Sequence, residues 1–430
     1  MHAPASAINK KALAYYLTYQ FVPKPFSLNH AGPPRTEDYK FPRTLDPKKT
    51  FRHDETRLAE NLYALLTDII KTSLKQTTGP IGLLLSGGLD STILLHLLRK
   101  NTRRNICTIS AAYDSDRSHL KLCASLAKKY NAIHQELIIT PAHLRQLARI
   151  YSPGLDNPIG DNGLLANYLM FNMLSSRTKL IYAGDGADCL FHGLNIHYLD
   201  FLDKNYLHRL KKTTDFPDAV HRRILLPKAH YPDFEHYKFD EIFLTKNEAH
   251  QYLGMDFDLS APLRSITKTI KTNDPIKKTI LLDLNFLVNN RVDYILKSAA
   301  ANKIKIILPY LDSALIDYAL RIPSSYFIKD LEQKYILKKA FENALPKEVI
   351  SQKKRGMTPP FLDWYLKNRS FVLKTMLKAT KLGVAPEYIR YLTDNINRSN
   401  QYAYGMRIWL VLNLVLWSAG QQTPDKTHSI

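Results

Sequence analysis

The residues best equipped for chemistry in this chain are Ser86-Gly87-Gly88-Leu89-Asp90-Ser91, two hydroxyls and a carboxylate set around a glycine pair. The glycines let backbone N–H groups approach an anion with no Cβ in the way, and the serine hydroxyls add donors. A plain strand-to-helix turn would account for the glycines but not for the serines and the aspartate at these offsets. No Gly-x-x-x-x-Gly-Lys-Ser/Thr occurs, and no lysine follows the glycines, so this is not a Walker A loop. A second glycine-bearing loop, Ala183-Gly184-Asp185-Gly186-Ala187-Asp188-Cys189, carries two carboxylates three residues apart. A polyphosphate needs magnesium, and magnesium seeks hard carboxylate oxygens; Asp90 and Asp188 are candidates to supply one each. The alternative for the second loop is a helix start capped by aspartate. A third group comprises Leu308-Pro309-Tyr310-Leu311-Asp312, the run from Lys334 to Ala340, and Gln352-Lys353-Lys354-Arg355-Gly356. Read alone it is a solvated basic helix and loop. Beside a nucleotide, its Lys-Lys-Arg-Gly turn becomes a candidate clamp on departing phosphates.

Such loops need a strand in front and a helix behind. Ile81-Gly82-Leu83-Leu84-Leu85 is an apolar run of strand length, and the leucines after Ser91 recur at helical spacing. The spacing predicts strands over 81–85, 106–112, 133–139 and 179–183, with helices over 91–100, 116–130, 141–150 and 163–176. That alternation is the pattern of an α/β, doubly wound parallel sheet, whose ligands bind at the carboxyl ends of the strands. Residues 1–54 are proline-rich and read as an arm or linker with one short helix near Lys10 to Gln20. A helix from Glu55 to Lys75 places Leu58, Leu62, Leu65, Leu66 and Ile69 on one face. Residues 194 to 260 are irregular, and helical periodicity dominates after 275. The reading is therefore an α/β nucleotide-binding domain over 55–195 and a mostly helical part over 196–430.

The 430 residues carry 60 Lys+Arg against 39 Asp+Glu, a formal charge of +21. The excess is spread through Arg209 to Lys212, Arg222-Arg223, Lys268 to Lys278 and Lys353 to Arg355, with no arginine-rich tail. It reads as attraction for an anionic substrate more readily than as a nucleic-acid surface. Cys107, Cys123 and Cys189 have no metal-ligand spacing and read as free thiols of a reducing cytoplasm. The N-terminus has no apolar leader, and Ile408 to Trp417 is about half the ~20 residues of a membrane span.

The first loop resembles the pyrophosphate loop of the ATP pyrophosphatase superfamily, which cleaves ATP between the α- and β-phosphates. Taken with Gly-Asp-Gly-Ala-Asp-x-Leu-Phe at 184–191, Pro-Tyr-Leu-Asp at 309–312 and Lys-Lys-Arg-Gly at 353–356, it looks like the synthetase domain of the asparagine synthetase family. That family includes β-lactam synthetase and the macrolactam cyclases of lasso peptides. The resemblance covers roughly residues 55 to 420, and Leu13 to Pro23 is similar to the segment linking the glutaminase and synthetase domains of full-length members.

It implies an ATP-dependent amide-forming ligase with ATP and Mg2+ as cofactors. Leu84 and Gly184 would lie near the adenosine, and Ser86, Gly87, Gly88, Asp90 and Ser91 around the pyrophosphate. Asp90 and Asp188 would hold the metal, Asp185 would contact the reacting groups, and Lys354 would be the catalytic lysine, with Lys353 one register away. The partners implied are a carboxylate substrate, small molecule or peptide, and ammonia or an amine. Full-length members begin Met-Cys, and this chain begins Met1-His2, so a separate glutaminase subunit is one expected source of nitrogen.

The chain departs from the family pattern at Ala183, Asp185 and Cys189, and Lys305-Ile306-Ile307-Leu308-Pro309 replaces Glu-x-Arg-x-Pro. The Asp-Arg-x-Ser-Met pattern is not recognisable around Leu296 to Ala301. Asparagine synthesis and amide or macrolactam formation on another metabolite therefore both stay open. A tRNA-modifying ATP pyrophosphatase and a non-catalytic ATP-binding relative are the remaining alternatives.

Overall fold

The computed structural model describes residues 8–29, 40–52, 54–151, 155–194, 243–244, 246–254, 256, 258–352, 356 and 358–421. Its centre is a five-stranded parallel sheet: β1 (Ile81–Leu84), β2 (Ile106–Tyr113), β3 (Ile133–Ile139), β4 (Leu180–Tyr182) and β5 (Lys305–Ile307), in the order β3-β2-β1-β4-β5. Strands β1 and β2 are buried along almost their whole length, which is why they read as unbroken apolar runs rather than as alternation. The expected α/β class is observed. All four strands expected from the sequence are present to within a residue or two.

The order has a direct consequence. From β1 the chain winds to β2 and β3 on one side, then crosses to β4 and β5 on the other, so β1 and β4 flank the point where the winding reverses. They pair through Gly82↔Ile181 and Leu83↔Tyr182. A crevice opens at such a switch point beyond the carboxyl ends of the strands. The two acidic loops of the sequence leave these two strands.

Helices α1 (Lys10–Tyr19), α2 (Glu55–Lys75), α3 (Leu89–Asn101), α4 (Leu120–Lys129), α5 (Leu147–Ile150), α6 (Leu164–Leu174) and α7 (Ala187–Leu190) occupy the N-terminal half. Leu58, Leu62, Leu66 and Ile70 form the buried stripe of α2, which packs on α3 and on a later helix, Tyr335–Phe341. The short helix expected near Lys10 is present and belongs to the core. Tyr15, Tyr16 and Tyr19 are fully buried, and the Tyr16 hydroxyl donates to the Leu410 carbonyl at 3.1 Å, inside helix Gln401–Gln421.

Strand β5 has no counterpart among the expected strands, and Lys305 to Ile307 stand in the sequence only as a departure from a motif. It pairs Leu180↔Lys305, Ile181↔Ile306 and Tyr182↔Ile307, and so the sheet takes its last strand from beyond residue 195. The basic clusters at Arg209 to Lys212 and Arg222-Arg223 lie outside the described residues. Among the described residues, no helix is long and apolar enough to cross a membrane. The three cysteines are free and buried.

Candidate active site

The loop after β1 folds on its own hydroxyls. Ser86 and Ser91 hydroxyls meet at 3.0 Å, the Ser86 N–H donates to Ser91 Oγ at 3.2 Å, and the Gly88 N–H donates to Ser86 Oγ at 3.3 Å. Gly87 has φ +74°, a left-handed turn that brings the chain round to α3 and that a side chain would strain. No side chain caps α3, so its first-turn N–H groups stand at the carboxyl edge of the sheet with the positive end of the helix dipole behind them. This is the arrangement that receives a phosphate. Leu84, the last residue of β1, is half-buried at its edge.

The loop after β4 lies against it. A Cβ built on Gly184 would come within 3.2 Å of Asp90 Cβ, so the two loops touch at that point. Helix α7 then carries Asp188, while Asp185 sits half-buried in the loop that precedes it. The Pro-Tyr-Leu-Asp segment supports both. Tyr310 is fully buried, burial and the neighbouring Asp90 push its hydroxyl well above the usual tyrosine range, and it donates to the Asp90 carbonyl at 3.1 Å. Asp312 caps helix Ser313–Arg321 by accepting from the Ala314 N–H at 2.9 Å, which makes it a structural residue.

Between the two loops stands a residue that the sequence reading left among basic helix residues. The Lys334 ammonium donates to Asp90 Oδ1 at 2.6 Å and Oδ2 at 2.5 Å, and it lies 2.7 Å from Asp188 Oδ1. Its side chain is 8% exposed, against 20% and 22% for the two carboxylates. Lys334 holds φ 55°, a left-handed conformation costly for a residue with a Cβ and persistent only where its surroundings impose it.

Those surroundings are visible. A two-stranded hairpin, Ile328–Lys329 with Glu332–Gln333, delivers Lys334 to the helix Tyr335–Phe341. Gln333 Nε2 donates to the carbonyls of His192 (3.2 Å) and Leu194 (2.9 Å), pinning the hairpin to the end of the β4 loop. On the other side Glu55, at the start of α2, accepts from Lys329 (2.5 Å) and Tyr335 (2.7 Å), and these bonds hold its carboxyl below the usual range. No spacing in the sequence separates Lys334 from Lys338 or Lys339. Its role comes from the hairpin that turns it.

Asp90 and Asp188 thus converge on one cation. Among the described residues no three His, Cys, Asp or Glu side chains gather in a metal-binding group. Two carboxylates fit magnesium, which fills its remaining positions with phosphate oxygens and water; they do not fit a closed structural zinc site. Lys354 and Lys353 lie outside the described residues.

A family model for asparagine synthase matches residues 61–419. The chain belongs to the asparagine synthase family. Asparagine synthetase [glutamine-hydrolyzing] 1 of Bacillus subtilis is 23% identical over 95% of this chain and 68% of its own length. A putative asparagine synthetase [glutamine-hydrolyzing] of Mycobacterium bovis is 24% identical over 96% and 68%. Among solved structures, an NH3-dependent NAD synthetase from Campylobacter jejuni overlaps 52% of this chain and 98% of its own at 14% identity and a TM-score of 0.24.

Two positions where this chain departs from the family pattern can now be placed. Cys189 is buried, and burial together with Asp283 drives its thiol pKa well up, so it stands neutral behind the carboxylate pair. Ile307, half-buried, ends β5 beside Tyr182 and puts an apolar group where the family pattern has arginine. Gly193, by contrast, is explained by contact: a Cβ there would collide with Lys334 Cε and Asp188 Oδ1. Gly193→Ala is therefore expected to push the lysine or the aspartate aside, at about 1–3 kcal/mol for an overpacked buried site. Thermal melting measures this, and an unchanged midpoint would mean that the ion pair gives way freely.

Proposed function

We propose that the protein is an ATP-dependent amide-forming ligase that activates a carboxylate as an acyl-adenylate, releasing pyrophosphate, and then passes the acyl group to ammonia or an amine with loss of AMP. The observation that carries this reading is the meeting of Asp90 and Asp188 on one cation at the switch point of the sheet, beside the uncapped start of α3. In this reading Ser86, Gly87, Gly88 and Ser91 receive the β- and γ-phosphates, and Leu84 and Gly184 border the adenosine. Asp90 and Asp188 hold Mg2+, which when bound neutralises phosphate charge. Asp185 faces the reacting carboxylate. Lys354 offsets charge that develops as the α–β bond breaks.

The products test the reaction class. Protein, Mg2+ and ATP labelled in the α-phosphate, incubated with candidate carboxylates and amines, are expected to yield labelled AMP and pyrophosphate. ADP as the sole product would exclude the adenylate route.

Aspartate to asparagine is one acceptor reading, in keeping with the names of the relatives. Ile307 and the neutral Cys189 favour the second, a carboxylate carried on a peptide or larger metabolite, because the guanidinium and the carboxylate of the family pattern are replaced by apolar groups. Ammonia and a substrate amine are the two nitrogen donors of this reading, with a separate glutaminase as one source of the ammonia, and the same screen distinguishes the donors.

A further inference from the structure

The ion pair at the centre of the site raises a question of occupancy. Asp90 is engaged through both carboxylate oxygens, at 2.6 and 2.5 Å, and Asp188 through Oδ1 at 2.7 Å, all by the Lys334 ammonium. Magnesium requires oxygens at about 2.0–2.1 Å in near-octahedral array and gives up its waters reluctantly. An ammonium that bonds both oxygens of Asp90 takes up one lone pair of each and much of the negative charge that a magnesium ion would be drawn to. Two cations competing for the same pair of carboxylates also repel one another across a largely water-excluded space. The lysine and the metal therefore compete for these carboxylates.

The site is built for the lysine as well as for the metal. Gly193 leaves the room that the Lys334 stem fills, Gln333 fixes the hairpin against the β4 loop, and the backbone of Lys334 is held left-handed. The anchored part is the main chain. The four-carbon stem beyond it is flexible and ends in a rotatable point charge, which can exchange one anion for another without moving the fold.

We propose that Lys334 is the resident counter-ion of the magnesium site, and that it leaves the carboxylates only when a phosphate arrives with the metal to take its charge. The proposal rests on the reading of Asp90 and Asp188 as magnesium ligands. Its consequence is coupled loading: the carboxylate pair resists a divalent cation alone and accepts it together with the nucleotide, whose phosphates give the displaced ammonium a new partner. Metal and ATP then bind with positive cooperativity, each raising the affinity for the other by the same factor.

Mn2+, in the absence of nucleotide, is the direct probe. By electron paramagnetic resonance titration, Lys334→Met, which keeps the length and removes the charge, is expected to bind Mn2+ at the carboxylate pair about tenfold or more tighter than the unsubstituted protein, a coupling of ordinary size. Equal or weaker binding by Lys334→Met would overturn the proposal. Should that variant fail to fold, the unsubstituted protein decides. The 15N-lysine ammonium resonance that disappears in Lys334→Arg is expected to shift with Mg2+ plus a non-hydrolysable ATP analogue and to stay put with Mg2+ alone. A resonance unmoved at saturation would overturn the proposal equally. Neither readout needs turnover, so AMP formation with unaltered Mn2+ affinity would refute the counter-ion role alone, and ADP formation would refute the adenylate reading alone.

Discussion

Asp90→Asn is expected to abolish amide formation and to weaken the fold in the same step. In the proposed reaction, loss of a hard ligand removes several kcal/mol of charge stabilisation from the adenylyl-transfer step, on the order of a thousandfold in rate. The structural cost arises because Asp90 supplies both oxygens that hold Lys334 at 2.6 and 2.5 Å. Removing one partner of a fully buried pair costs about 3–5 kcal/mol. Here Asp188 remains beside the ammonium and the carboxylates keep some contact with solvent, so the expected loss is reduced to about 1–2 kcal/mol. Asp188→Asn removes the 2.7 Å contact with Lys334 and leaves both Asp90 oxygens on the ammonium. It should be as inactive as Asp90→Asn and closer to the unsubstituted protein in melting temperature. Pyrophosphate release and thermal melting on both variants separate the two effects. Normal turnover in both would remove the metal assignment.

Lys354→Ala is expected to slow pyrophosphate release about 100-fold while leaving ATP affinity nearly unchanged. The reason lies in when charge appears. Ground-state ATP would be met by the first-turn N–H groups of α3 and by the metal, whereas the leaving pyrophosphate gains charge only as the α–β bond breaks. A cation placed for that developing charge is worth about 3 kcal/mol, by comparison with loss of one oxyanion donor. A lysine on a solvated basic turn would give less than about twofold, and one that binds ATP uniformly would raise KM with kcat constant. Single-turnover release by Lys354→Ala beside Lys353→Ala distinguishes these cases. Equal and small effects would return the Lys-Lys-Arg-Gly turn to a solvated surface.

Local chemistry was legible in the sequence. The Ser86 to Ser91 loop announces itself because a phosphate loop is built from consecutive backbone N–H groups, glycines and hydroxyls, and its internal bonds span five residues or fewer. The buried parallel strands likewise appear as apolar runs, since a sheet covered on both faces needs no alternation. Strand β5 is three residues long, too short to show a period, and only its pairing with β4, some 125 residues earlier, makes it a strand. Lys334 is the plainest case of what tertiary structure decided. It lies 244 residues from Asp90, and its neighbours in sequence include other lysines of the same type. Its function depends on a left-handed backbone set by a hairpin, on the absence of a Cβ at Gly193, and on two carboxylates brought together by the pairing of β1 with β4. Residue type is written position by position, but a charge acquires its partner only through distances, and those belong to the fold.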